Sequence, residues 1–386
     1  MMKVIAFMGY MTKPLAVAAC LAVLLAACGG NGSGKGTAAG GGDTVKYECA
    51  QLLHTVRHGR YTEVSISNPW KDGAVLQRYY LVPRADSADV AATLPSGGSM
   101  VVVPVQRALV ATSPLCQLMV WLGAGEKVKA VLDAQYINQP LMAQRMARGS
   151  VADCGNSASP DIERIVQVSP QAAFLSVYEG SGESRLAKTG CAVIDCVEYM
   201  EPTALGRAEW MKFYGLLLGR ERQADSLFAS VRRNYQRIKA EAGRAKSCPV
   251  VLTERVTGGT WFCPGGRSSM ASLIADAHGR YAFASDGHSG SLPLAPEAVI
   301  AAASKADVWM FVYSGKRPLT RGELLTEYHG YSQVKALASG GVFQCNNMNS
   351  LYFNEISFRP DFLLRDFAVM FHPEMHRGEA LRYYEK

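Results

Sequence analysis

Apolar and polar positions alternate with two periods along the chain, and the changes of period mark its elements. Residues 61–67 (YTEVSIS) and 77–82 (QRYYLV) repeat with period two around Asn68-Pro69 and Asp72-Gly73, which predicts a β-hairpin. Residues 100–104 (MVVVP) predict a buried strand, 113–123 a helix with Leu115, Leu118, Met119 and Leu122 on one face, and 128–132 a further strand. The alternation continues with a helix at 161–168 and strands at 172–177 and 192–197. Strands interleaved with helices indicate an α/β lobe with a largely parallel sheet. Residues 206–243 differ: Trp210, Phe213 and Leu217 lead, after a break at Gly219, to Ala224, Leu227, Phe228, Val231, Tyr235 and Ile238 at spacings of three and four. From Glu221 to Gly243 that helix is about 35 Å long at 1.5 Å per residue, a candidate rigid spine. The strand–helix alternation then resumes, with strands at 249–252 and 308–312 and helices at 268–277, 296–303 and 359–371.

Within this pattern one device occurs twice. Pro160-Asp161-Ile162-Glu163 opens a helix that runs into the strand around Phe174, and Pro296-Glu297 opens one that runs into the strand around Val308. Each Glu lies eleven residues before its strand residue. An acid in a first helical turn is favoured by the helix dipole and tends to face solvent. Two lobes that each present such a Glu make a two-point docking surface.

The expected division is a leader at 1–27, a Gly-rich tether at 28–46, an N-terminal α/β lobe with a leading hairpin at 47–205, linker helices at 206–243 and a C-terminal α/β lobe at 244–386. At 386 residues, 48% hydrophobic and 19% charged, the chain has ample core for two lobes. The net charge of +7 is spread without a basic stripe, which argues against nucleic acid as a partner. Lys13 precedes an apolar run too short to span a bilayer, and the run ends in Leu25-Ala26-Ala27-Cys28. Small residues before a Cys fit a bacterial lipoprotein signal, with Cys28 acylated and first in the mature protein. A globular body held by lipid at a membrane surface outside the cytoplasm follows. Eight cysteines remain beyond Cys28, an even number that in an oxidising compartment suggests one or more disulfides, with Cys191 and Cys196 closest in sequence.

Other chemistry is weakly supported. Gly287-His288-Ser289-Gly290-Ser291 misses the nucleophile elbow at its fifth position. The seven histidines are scattered, unlike a dedicated zinc or manganese site. No Gly-rich phosphate loop follows a strand.

The chain resembles the substrate-binding proteins of bacterial importers for vitamin B12, haem and ferric siderophores. The resemblance covers about residues 98–375. It rests on 122–128 (LGAGEKV), 159–165 (SPDIERI), the Glu221–Gly243 helix, Pro296-Glu297-Ala298-Val299, 304–308 (SKADV) and the ending Phe358-Arg359-Pro360-Asp361. Residues 202–210 (PTALGRAEW) are similar to a Bacteroidetes form. The resemblance implies two Rossmann-like lobes joined by a backbone helix, with the ligand in the cleft between them. It implies a periplasmic, lipid-anchored monomer that captures an iron chelate or corrinoid, holds no cofactor of its own, performs no catalysis, and delivers to an ABC permease and its ATPase. Glu163 and Glu297 fall where that family docks onto permease arginines. The expected ligand contacts lie in loops at strand ends: Thr112, Ser113, Tyr136, Asn156, Ser157 and Tyr178 in the first lobe, and Trp261, Phe262, His288 and Ser289 in the second. His288 is a candidate axial ligand for haem. The alternatives are a chelatase or iron-releasing enzyme on the same fold, and a zinc or manganese importer subunit.

Overall fold

The structure is a computed structural model, and it describes residues 42–181 and 185–386. The leader, Cys28 and most of the tether lie outside the described residues. Residues 42–386 form one compact unit.

Two five-stranded sheets organise it. The first-lobe sheet is all parallel, in the order Ala192–Cys196, Ala172–Ser176, Ala108–Val110, Val128–Val131, Ala152–Asp153. The chain starts at the central strand, moves outward on one side, then returns to the other, so the strand order reverses between Ala108–Val110 and Ala172–Ser176. The second-lobe sheet runs Arg280–Tyr281, Val250–Thr253, Val308–Tyr313, Val342–Asn346, Tyr384–Glu385, parallel except for the last pair. Its order reverses between Val250–Thr253 and Val308–Tyr313. In open α/β sheets a crevice forms at the carboxyl ends of the strands flanking such a reversal.

The spine is Glu221–Ala242, 22 residues. Its buried face changes allegiance along its length: Ala224, Phe228 and Val231 belong to the first-lobe core, and Tyr235, Ile238 and Ala242 to the second. A single helix thus crosses both cores. The fold is α/β, two lobes joined by this helix.

Three expectations change. The hairpin exists, Tyr61–Ser67 against Val75–Pro83, but it is the middle of a five-stranded sheet that also contains Asp43–Val45, Leu53–His58 and Ser99–Val103. The strand at 100–104 therefore completes this N-terminal sheet, parallel to Val75–Pro83, and the first-lobe sheet begins instead at Ala108–Val110. The eight cysteines are free thiols. Cys191 immediately precedes the strand Ala192–Cys196 that Cys196 ends, which puts the two about 16 Å apart at roughly 3.3 Å per residue, far beyond disulfide reach.

The N-terminal sheet is stapled to the rest of the molecule by two buried carboxylates. Glu209 accepts hydrogen bonds from the backbone N–H groups of Glu48 (3.0 Å), Cys49 (2.7 Å) and Ala50 (2.9 Å), and from Lys212 Nζ (2.7 Å). Glu201 accepts from the N–H groups of Gln51 (2.9 Å) and Leu52 (3.0 Å) and from Trp210 Nε1 (2.9 Å). Buried carboxylates are tolerated when their lone pairs are filled in this way. Gly206 makes the approach possible, because a Cβ there would stand 2.9 Å from the Cys49 carbonyl oxygen.

Candidate ligand cleft

Two cavities lie along the boundary of the lobes. The first, about 700 Å³, sits at the strand reversals. Ser113, just beyond Ala108–Val110, meets Ser314, just beyond Val308–Tyr313, across it. Three large, partly exposed side chains line it: Tyr136 from the first lobe, 72% exposed, and Met348 and Phe353 from the second, 64% and 48% exposed. Apolar surface left uncovered in a concave site marks ligand contact.

The floor carries a charge. Arg207 lies on the short helix Ala204–Glu209, at the seam where Ala204 joins the second-lobe core and Ala208 the first. Arg207 lines this cavity, and its Nε is buried without an acceptor among the described residues. Burial pulls its pKa down, offset by the nearby Glu198, Tyr352 and Tyr214. A planar five-donor group held there suits a carboxylate or another anionic oxygen pair.

The second cavity, about 1110 Å³, is bounded by Tyr178, just beyond Ala172–Ser176, by the second-lobe loop holding His288 and Ser289, and by the hairpin turn of the N-terminal sheet. His288 Nδ1 lies 3.1 Å from the Asp286 carboxylate, which also accepts the His288 backbone N–H at 2.8 Å. These bonds hold the Asp286 carboxyl below its usual range.

The sequence-derived candidates therefore divide. Ser113 and Tyr136 come together in one cavity, with the Ser113 hydroxyl donating to the Tyr136 carbonyl, and Tyr178, His288 and Ser289 come together in the other. Thr112 caps the helix Ser113–Trp121 by position, its Oγ1 buried without a partner among the described residues. Asn156 and Ser157 line neither cavity. The Asn156 side-chain oxygen accepts from Ser159 N at 2.8 Å, and Ser157 donates to Asp133, so both shape their own turn. Trp261 is a correction: it is fully buried, its ring edge-on to Tyr331 at 5.4 Å, and its Nε1 donates to the Thr253 carbonyl at 3.0 Å. Phe262, next along the strand Thr260–Pro264, points the opposite way and is 45% exposed, but lines neither cavity.

Arg207 and the hairpin turn carry no sequence signal of this role. Glu254, the residue after Val250–Thr253 at the second-lobe reversal, lines neither cavity. It holds a left-handed backbone (φ 61°), and burial raises its carboxyl to about 7, against the lowering effect of Arg255. Glu163 and Glu297 are both exposed in the first turns of Ile162–Val168 and Pro296–Ala303. Each helix precedes the strand flanking its lobe's reversal, and Glu297 accepts a hydrogen bond from Tyr328 Oη at 3.1 Å.

Comparison with known proteins gives a consistent family. Residues 110–348 match the periplasmic binding protein family. An uncharacterized lipoprotein of Methanocaldococcus jannaschii is 29% identical over 248 residues, covering 62% of this chain and 57% of the relative, so the chain spans less than two thirds of that relative's length. The apo periplasmic haem-binding protein of Roseiflexus sp. RS-1 superposes with a TM-score of 0.54 at 20% identity, over 70% of this chain and 99% of that one. The periplasmic vitamin B12-binding protein of Vibrio cholerae does so with a TM-score of 0.52 at 12% identity, over 71% and 99%. With more than half its length matched and its two-lobed fold shared, the chain belongs to the periplasmic binding protein family.

Proposed function

We propose that this protein is the substrate-binding component of an ABC importer, and that it captures an iron chelate (a siderophore or haem) or a corrinoid. The observation that carries this reading is the crevice at the two strand reversals, where Tyr136, Met348 and Phe353 offer apolar surface and Arg207 a positive charge. Haem and many ferric chelates combine a broad apolar face with anionic oxygens, and this crevice complements both. The neighbours named for haem and vitamin B12 binding support the same ligand class. In this reading Glu163 and Glu297 dock the loaded protein onto arginines of the permease, whose ATPase drives uptake. Lipid on Cys28 and the tether that follows hold the body at a membrane in the periplasm. The uncharacterized relative's description as a lipoprotein supports the anchor.

The test is an absorbance and fluorescence-quenching titration of the protein with haem, cobalamin and a panel of ferric siderophores. Saturable, submicromolar binding of one of them, returned chemically unchanged, is the expected result. Turnover of the ligand would replace the carrier reading with the enzymatic one.

A further inference from the structure

The larger cavity has three walls, and only two belong to the lobes. The third is the turn between Tyr61–Ser67 and Val75–Pro83, which brings Trp70 and Val75 to the cavity opposite Tyr178 of the first lobe and Arg267 and His288 of the second. This turn lies outside residues 110–348, the part of the chain that matches the family.

The turn is built as a fixed surface. Asn68 N–H donates to the Ala74 carbonyl (2.8 Å), Ala74 N–H to the Lys71 carbonyl (3.1 Å), and Trp70 N–H to the Asn68 side-chain oxygen (2.9 Å). Gly73 takes the left-handed conformation (φ 70°) that lets the loop close. Trp70 packs partly onto the first-lobe core. Below it, Ser67 N–H donates to the Leu52 carbonyl at 2.8 Å, and Leu52 is held in turn by the buried Glu201. The position of the turn is thus fixed relative to the first lobe by hydrogen bonds that end in a buried carboxylate.

We infer that the N-terminal sheet is a third ligand-binding element, whose Trp70 turn walls the larger of the two cavities between the lobes and selects a large, flat, ring-bearing ligand. Cavities of this size accept drug-sized or larger molecules. An indole on one side and the 69% exposed Tyr178 on another offer faces for stacking, which suits a macrocycle or an aryl-bearing chelate better than a small polar solute. The inference rests on the carrier reading above and adds the source of its selectivity.

The test compares the full chain in mild detergent with Trp70→Ala and Val75→Trp, each titrated with haem, cobalamin and a ferric catecholate siderophore. Val75 is 52% exposed, so a larger side chain there fills the cavity without entering the core, and this variant decides the matter if Trp70→Ala misfolds. The expected result is affinity weakened about ten-fold or more in both variants for the probe that the wild type binds, with circular dichroism unchanged. Equal binding by the wild type and Val75→Trp would overturn the third wall and leave the carrier reading standing. A wild type that binds none of the three probes would overturn both.

Discussion

Glu254, which follows a central strand of the second-lobe sheet, permits a quantitative test of how the fold sets the charge of one carboxylate. Its φ is 61°, and its backbone is held there by Glu254 N–H donating to the Met310 carbonyl (2.9 Å) and by Trp309 Nε1 donating to the Glu254 carbonyl (2.8 Å). The side chain is left in a setting that disfavours its charge, and its pKa rises from 4.5 to about 7. One pH unit of displacement corresponds to about 1.4 kcal/mol, so the full displacement amounts to about 3 kcal/mol. The folded pKa lies above the unfolded one. The stabilising contribution is therefore complete below about 4.5 and is lost as pH rises through 7. Glu254→Gln removes the titration and leaves both backbone hydrogen bonds intact. Urea unfolding at pH 5 and pH 8 should show the variant close to wild type at pH 5 and more stable by about 3 kcal/mol at pH 8. Glu254→Gly should add a further gain of about 1 kcal/mol, the same at both pH values, because it relieves the left-handed strain. A Glu254→Gln effect of equal size at pH 5 and pH 8 would refute the assignment of a buried, ionising carboxyl.

Four further outcomes follow. Arg207→Met should weaken ligand affinity about ten-fold or more, because it removes the positive charge on the cavity floor; unchanged affinity would remove Arg207 from the site. Glu209→Ala should cost about 3 kcal/mol or more in urea unfolding, because three backbone N–H groups lose their acceptor. Replacing both Glu163 and Glu297 by Ala should abolish transport and spare ligand affinity; uptake at the wild-type rate would sink the docking role. Reducing agent should leave the melting temperature unchanged, because the eight cysteines of the body are unpaired.

Long periodic elements were legible from sequence, and short or shared ones were not. The spine was readable because its apolar residues recur over six turns. The helices bearing Glu163 and Glu297 were readable because a Pro and an acid mark their starts. Ala108–Val110 was missed because three apolar residues carry no periodicity, and the neighbouring 100–104 run took its place. A strand's pattern reveals that it is buried, but not which sheet covers it. The same limit explains Trp261: strand alternation puts it and Phe262 on opposite faces, yet only the packing of Tyr331 and Trp309 against Trp261 shows which face is the core. Arg207 sits among seven other Lys and Arg residues between 206 and 243, and only its place on the cavity between the lobes distinguishes it.

The change of core partner along the spine has a mechanical consequence. Val231 belongs to one lobe and Tyr235 to the other, so the two cores exchange hold of the helix within about one turn. That turn is the fulcrum for any relative rotation of the lobes, and an unbroken helix resists bending there. In the proposed carrier role the lobes would be nearly set before a ligand arrives, and capture would be a matter of fit more than of closure. A membrane partner that grips both lobes and pulls them apart would spend its force on this one turn, which makes the spine a spring loaded at unloading.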